Sequence, residues 1–248
     1  MKDNYFYKKP LSNIYKKPSK VSEVTSQIIY GEKFKILFKN KNWIKIKTSF
    51  DNYIGYIQNK YYTKNHRPTH KVFVLKANIF NEKNNKTKYF LPFASKISII
   101  QINEKFVEID KGRWIKKKDI KKIGHIEKDY VRVLKLFLRT KYTWGGKTFK
   151  GIDCSAILQL FYYYNNKFYP RDTKDQIKYS VKNTKRGIFK KGDVIFWKGH
   201  VAICIDAKKL IHAYSPEKKV LIMSIAETIN RVERTAKLVV KKVSSIKY

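Results

Sequence analysis

The sequence predicts an α+β chain in which two small all-β barrels precede a domain of helices first and antiparallel strands after. Three observations carry that expectation. From Val21 to Ile123 the apolar residues come in short alternating runs separated by turn residues, with no helical period. From His125 onward the period changes to that of amphipathic helices. Beyond Gly192 short apolar runs return, close enough together to pair as antiparallel neighbours.

Residues 1–20 are polar and basic and are interrupted by Pro10 and Pro18, so they read as an N-terminal arm or a lead-in strand. The first barrel is expected over 21–64. Its runs are Lys35-Ile36-Leu37-Phe38, Trp43-Ile44-Lys45-Ile46-Lys47 and Tyr53-Ile54-Gly55-Tyr56-Ile57, with turns at Gly31-Glu32 and Phe50-Asp51-Asn52. Arg67-Pro68-Thr69 reads as a linker. The second barrel is expected over 70–123, from Val72-Phe73-Val74-Leu75, Ile97-Ser98-Ile99-Ile100, Phe106-Val107-Glu108-Ile109 and Gly112-Arg113-Trp114-Ile115.

The last domain is expected over 125–248. Val131, Leu134, Leu136, Phe137 and Leu138 suggest a helix ending near Thr140. A second helix runs from Cys154 to about Tyr164, with Ile157, Leu160, Phe161 and Tyr164 on one face, and a third covers 171–179. Strands follow at 193–197, 201–205, 210–213 and 220–223, then a helix at 226–231.

Composition limits the functional classes. The chain has 248 residues and a formal charge of +37, but only eight of its 56 basic residues are Arg. The lysines are scattered rather than clustered, so a dedicated nucleic-acid partner is not expected. Two cysteines, Cys154 and Cys204, do not make a disulfide-rich scaffold. The N-terminus lacks an apolar core segment and a small-residue cleavage site, and no apolar run would span a bilayer, so the expectation is a cytoplasmic protein. Nothing in the sequence sets an oligomeric state. The histidines and cysteines lack metal-ligand spacing and there is no phosphate-binding glycine loop, so no cofactor is expected.

The chemistry is concentrated in a few motifs. Tyr142-Thr143-Trp144-Gly145-Gly146 is followed by Gly151-Ile152-Asp153-Cys154-Ser155 and an apolar stretch. Cys154 stands where a loop enters a helix, and the helix dipole there favours a thiolate. His200 follows 46 residues later at the start of a predicted strand, and His212 lies twelve residues beyond it. One cysteine and two later histidines fit a nucleophile, a base and a group that orients the base.

With Pro170-Arg171-Asp172 and Leu210-Ile211-His212-Ala213 added, these motifs closely resemble the NlpC-type papain-like cysteine peptidases of bacterial cell-wall metabolism. The resemblance is detailed from Tyr142 to Ile229. The N-terminal half is similar to the paired bacterial SH3-like domains that some members carry. The resemblance implies a γ-D-glutamyl-diamino acid endopeptidase or dipeptidyl peptidase acting on murein stem peptides. Cys154 would be its nucleophile, His200 its base and His212 the orienting residue. It further implies that Tyr142, Asp153, Ser155, Arg171 and Asp172 line the substrate cleft, with Asp153 a possible partner for a substrate amine and the Cys154 amide an oxyanion donor. In such members the first SH3-like domain admits only a stem peptide with a free L-alanine amine, and Glu23 and Tyr53 or Tyr56 are the residues of that domain expected to face it. An amidase or acyltransferase could use the same triad. A non-enzymatic wall-binding or nucleic-acid-binding basic protein is the alternative from another class, and the intact set of Cys154, His200 and His212 argues against it.

Overall fold

Alternation in the sequence becomes alternation of burial. Along the strand Trp43–Thr48, Ile44, Ile46 and Thr48 are buried, and the alternate residues Trp43, Lys45 and Lys47 are half-buried. The computed structural model describes residues 3–82, 85–181 and 188–247. It divides into two units.

The first unit holds Met1–Ile126, Lys147–Phe149 and Tyr163–Asn166. Its seven-stranded sheet runs Val24–Ile29, Leu11–Tyr15, Ile54–Gln58, Trp43–Thr48, Lys33–Lys39, Asn4–Tyr7, Tyr62–Thr63. The sheet wraps a core of Tyr7, Ile14, Ile28, Phe34, Ile44, Ile46 and Ile57. The segment expected as an arm or a lead-in strand is part of this sheet: Asn4–Tyr7 and Leu11–Tyr15 are both paired strands. Each contributes a buried apolar residue, and Pro10 falls between them, where a missing N–H removes no ladder bond.

The rest of this unit has a five-stranded sheet, ordered Lys86–Pro92, Lys76–Phe80, Arg113–Lys116, Phe106–Asp110, Gln101–Ile102, and a three-stranded one, Lys96–Ile97, His70–Val72, Ile120–Lys122. They share a core that includes Val72, Ala77, Ile79, Leu91, Ile97, Val107, Ile109 and Ile115. Also in this unit, Lys147 forms a fully buried ion pair with Glu32, its Nζ 2.9 and 3.1 Å from the two carboxylate oxygens.

The second unit holds Glu127–Gly146, Lys150–Tyr162 and Lys167–Tyr248. Helix α1 (Tyr130–Leu136) starts at Asp129, whose side chain accepts a hydrogen bond from the Arg132 amide. Helix α2 (Cys154–Tyr164) is buried along its whole length rather than on one face. Helix α3 spans Thr173–Tyr179. An antiparallel sheet follows, ordered Lys219–Ser224, Lys209–Tyr214, His200–Cys204, Asp193–Trp197, Lys242–Ser245. Helix α4 (Ile225–Ala236) is capped by Ser224 and ends on Lys237 in a left-handed conformation. No helix among the described residues is long and apolar enough to cross a membrane.

Candidate active site

The loop before α2 is built around tight backbone approaches. A Cβ on Gly146 would lie 2.5 Å from the Gly151 carbonyl oxygen, and one on Gly151 would collide with the Thr143 side chain. This close packing brings the Gly145 amide 2.9 Å from the Asp153 carboxylate. The carboxylate also accepts from the Ala156 amide at 2.9 Å and from Ser155 Oγ at 3.1 Å. The bond to Ala156 makes Asp153 the N-cap of α2, which is why Cys154 is the first helical residue. Arg171 closes the cluster, with bidentate bonds to Asp153 at 3.0 and 2.6 Å and a bond to Ser155 Oγ at 2.8 Å. Asp153 thus has a buried cation of its own, and the expectation that it stands open for a substrate amine is not met.

Cys154 is 5 % exposed. Its thiol donates to the Gly199 carbonyl at 3.9 Å and also meets the Val201 amide and the Thr173 hydroxyl. The sulfur therefore touches backbone on both sides of His200. His200 opens its strand, and its Nε2 lies 3.0 Å from Nδ1 of His212. His212 is fully buried; its Nε2 lies 3.4 Å from the Met223 sulfur, and its ring stacks on Tyr214 at 4.7 Å.

Burial dominates the electrostatics. It pushes the Cys154 thiol up to about 11, helped by the Asp153 charge and opposed by the Val201 amide, the Thr173 hydroxyl and Arg171. It pulls His200 down to about 4 and His212 well below the usual range, the latter with help from His200. Burial thus opposes the thiolate that the helix dipole favours, and it opposes the imidazolium as well. A proton transfer between them creates two charges side by side, whose mutual attraction offsets part of the desolvation.

The other expected residues fall into two groups. Tyr142 belongs to the cluster; burial raises its phenol, followed by the nearby Cys154 and Asp153. Asp172 is the N-cap residue of α3 but makes no side-chain cap bond, and burial raises its carboxyl. Glu23, Tyr53 and Tyr56 lie in the first unit. There Glu23 pairs with Lys16 at 3.1 Å, Tyr53 donates its hydroxyl to the Thr25 carbonyl at 3.3 Å, and Tyr56 lies under Lys45. The sequence reading missed Thr173 and Met223. Thr173 follows directly on the Pro170-Arg171-Asp172 motif, and Met223 has only strand alternation to mark it.

The chain is similar to known proteins in both halves. Residues 139–237 match the NlpC/P60 family, and residues 14–60 match the bacterial dipeptidyl-peptidase SH3 domain. The chain is 22 % identical to dipeptidyl-peptidase 6 of Lysinibacillus sphaericus, over 88 % of this chain and 90 % of that protein. It is 24 % identical to the gamma-D-glutamyl-L-lysine dipeptidyl-peptidase of Bacillus subtilis, over 86 % of this chain and 80 % of that protein. An NlpC/P60 family protein from Bacillus cereus shares the fold with a TM-score of 0.77 at 19 % identity, over 90 % of this chain and 94 % of that one. The chain carries an NlpC/P60 cysteine-peptidase domain together with a bacterial dipeptidyl-peptidase SH3 domain.

Proposed function

We propose that this protein hydrolyses murein stem peptides between γ-D-glutamate and the diamino acid, through a thioester on Cys154. One observation carries the reading: the Cys154 sulfur touches the backbone that flanks His200, while the far nitrogen of His200 is held by His212. In this reading Sγ attacks the γ-carbonyl carbon and its proton passes to Nδ1 of His200. The S–C bond forms, and the carbonyl oxygen takes up negative charge near the Cys154 amide and the Tyr142 phenol. His200 then protonates the leaving amine as the C–N bond breaks. Water, deprotonated by His200, releases the acid and restores the thiol.

The finer specificity is for a stem peptide with a free L-alanine amine. The match of residues 14–60 to a dipeptidyl-peptidase SH3 domain supports it, as do the names of the two long-range relatives. Asp153 is already paired with Arg171, so Glu23, which pairs with the exposed Lys16, is the carboxylate proposed for the amine. Residues 70–123 are read as a second SH3-like barrel; their two small sheets around one core support that. The test is mass spectrometry of L-Ala-γ-D-Glu-diaminopimelate incubated with the protein, beside the same peptide acetylated at its amine. Release of diaminopimelate from the free peptide alone is expected. Equal cleavage of both would overturn the amine requirement, and cleavage of neither would overturn the substrate.

A further inference from the structure

We propose that Met223 is a positioning residue that fixes the tautomer of His212 and, through it, the tautomer of His200. The proposal rests on the reading of His200 as the base for Cys154 and adds what decides which His200 nitrogen is free to act.

Strand pairing brings the three residues together. Lys209–Tyr214 pairs with Lys219–Ser224 so that His212 faces Leu221 and Leu210 faces Met223. Met223 is two residues beyond Leu221, hence on the same sheet face and diagonal to His212. The pairing of Ile203 with Ile211 and Cys204 with Leu210 continues to put Ala202 opposite His212. His200, two residues before Ala202, shares that face. Among the described residues, the Met223 sulfur and Nε2 of His200 are the hydrogen-bond partners of the His212 ring, at 3.4 and 3.0 Å.

Donor and acceptor inventories then leave one consistent chain. A thioether sulfur can only accept, and a neutral imidazole has one N–H and one lone pair. His212 and Met223 are both buried. If His212 carried its proton on Nδ1, the lone pair of Nε2 would face the sulfur lone pairs with no proton between them. Nδ1–H would then donate to Nε2 of His200, so the His200 proton would sit on Nδ1 and that nitrogen could not receive the thiol proton. With the proton on Nε2, His212 donates to the sulfur, Nδ1 accepts from Nε2–H of His200, and Nδ1 of His200 is left with its lone pair. The weak sulfur acceptor thus sets the direction of the relay, because it is the one member that cannot exchange roles.

An amide at position 212 would not need this control. An Asn carbonyl accepts from Nε2–H of His200 and has no second tautomer. The effect of Met223 should therefore depend on the residue at 212, which a role in packing alone would not produce. Met223→Leu keeps nearly the same volume and is expected to fold.

The test has two arms. In the first, nitrogen-15 NMR of the imidazoles is recorded near neutral pH on wild type and Met223→Leu, with signals assigned from His212→Asn and His200→Ala. Wild type should show both rings neutral and protonated on Nε2, and Met223→Leu should move His212 toward the Nδ1–H form. In the second, kcat/KM on L-Ala-γ-D-Glu-L-Lys is measured for Met223→Leu, His212→Asn and the double variant. Met223→Leu should lose about tenfold alone and less than about twofold on top of His212→Asn. Met223→Gln, whose amide can either accept or donate, restores a partner for Nε2 without fixing its tautomer and should recover only part of the loss. Wild-type His212 protonated on Nδ1, unchanged tautomers in Met223→Leu, or equal losses in the two backgrounds would overturn the proposal. The NMR arm does not use turnover, so failure to cleave the tripeptide would count against the proposed substrate and leave the assignment of Met223 to be decided by the rings.

Discussion

Cys154 stands at a helix start, where the dipole favours a thiolate, yet only 5 % of it is exposed and burial lifts its thiol to about 11. His200 is displaced the other way, to about 4. Burial disfavours the charged form of each group, so between those two values thiol and imidazole are both expected to rest neutral. Thiolate absorbance in wild type minus Cys154→Ser should be close to zero at neutral pH and should grow only as pH approaches about 11. Full thiolate absorbance at neutral pH would contradict this charge state. The roles proposed for the two histidines are unequal. His200→Ala should cost about as much rate as loss of the thiol, because members of such a unit are non-additive, whereas His212→Asn should be milder, since an amide can still hold Nε2–H of His200. Equal losses would mean that His212 itself takes the proton. The residue types and order of Cys154, His200 and His212 were legible in the sequence. Thr173 and Met223 were not, because a hydroxyl and a thioether acquire a role only from what the fold places beside them.

At the scale of elements, the helices were the most readable parts. The apolar run after Cys154 and the period after Val131 gave α2 and α1 within a few residues, and short apolar runs gave the strands Asp193–Trp197 and Lys209–Tyr214. The strand Lys242–Ser245 was missed, as only Val243 in it is apolar and its order comes from pairing with Asp193–Trp197. The N-terminal strands are short and strand-forming in composition, but Lys8-Lys9-Pro10 and Lys16-Lys17-Pro18 bound them and make the whole segment read as polar and basic. The loop before α2 is an element held by charge rather than by apolar packing. Arg171 and Asp153 are both almost fully buried, so Arg171→Ala leaves a carboxylate with no cation in the interior. A loss of about 3–5 kcal/mol in unfolding free energy is expected from urea denaturation, the range for breaking a buried pair. A loss below about 1 kcal/mol, typical of surface pairs, would show that the hydrogen bonds from the Gly145 and Ala156 amides suffice.

At the scale of the molecule, the two β-rich halves of the first unit were legible as alternation, but the depth of their polar contacts was not. Glu32 and Lys147 lie 115 residues apart in the chain and pair out of contact with water. Glu32→Gln should therefore destabilise the protein by about 3–5 kcal/mol; a midpoint within error of wild type in urea would contradict that. The proposed amine requirement is tested at the same scale. If Glu23 holds the L-alanine amine, acetylating that amine should lower kcat/KM by roughly thirtyfold or more, from a charge-pair cost of about 2 kcal/mol or above. Glu23→Gln should narrow the difference between the two peptides, and an unchanged ratio would remove Glu23 as the partner. The most direct test of the whole account is the rate at which L-Ala-γ-D-Glu-L-Lys releases free lysine with wild type and with Cys154→Ser. Wild type should release lysine and leave the dipeptide L-Ala-D-Glu, while the serine variant, folded by circular dichroism, should fall at least about a thousandfold. Release at a comparable rate by Cys154→Ser, or none by wild type, would contradict it.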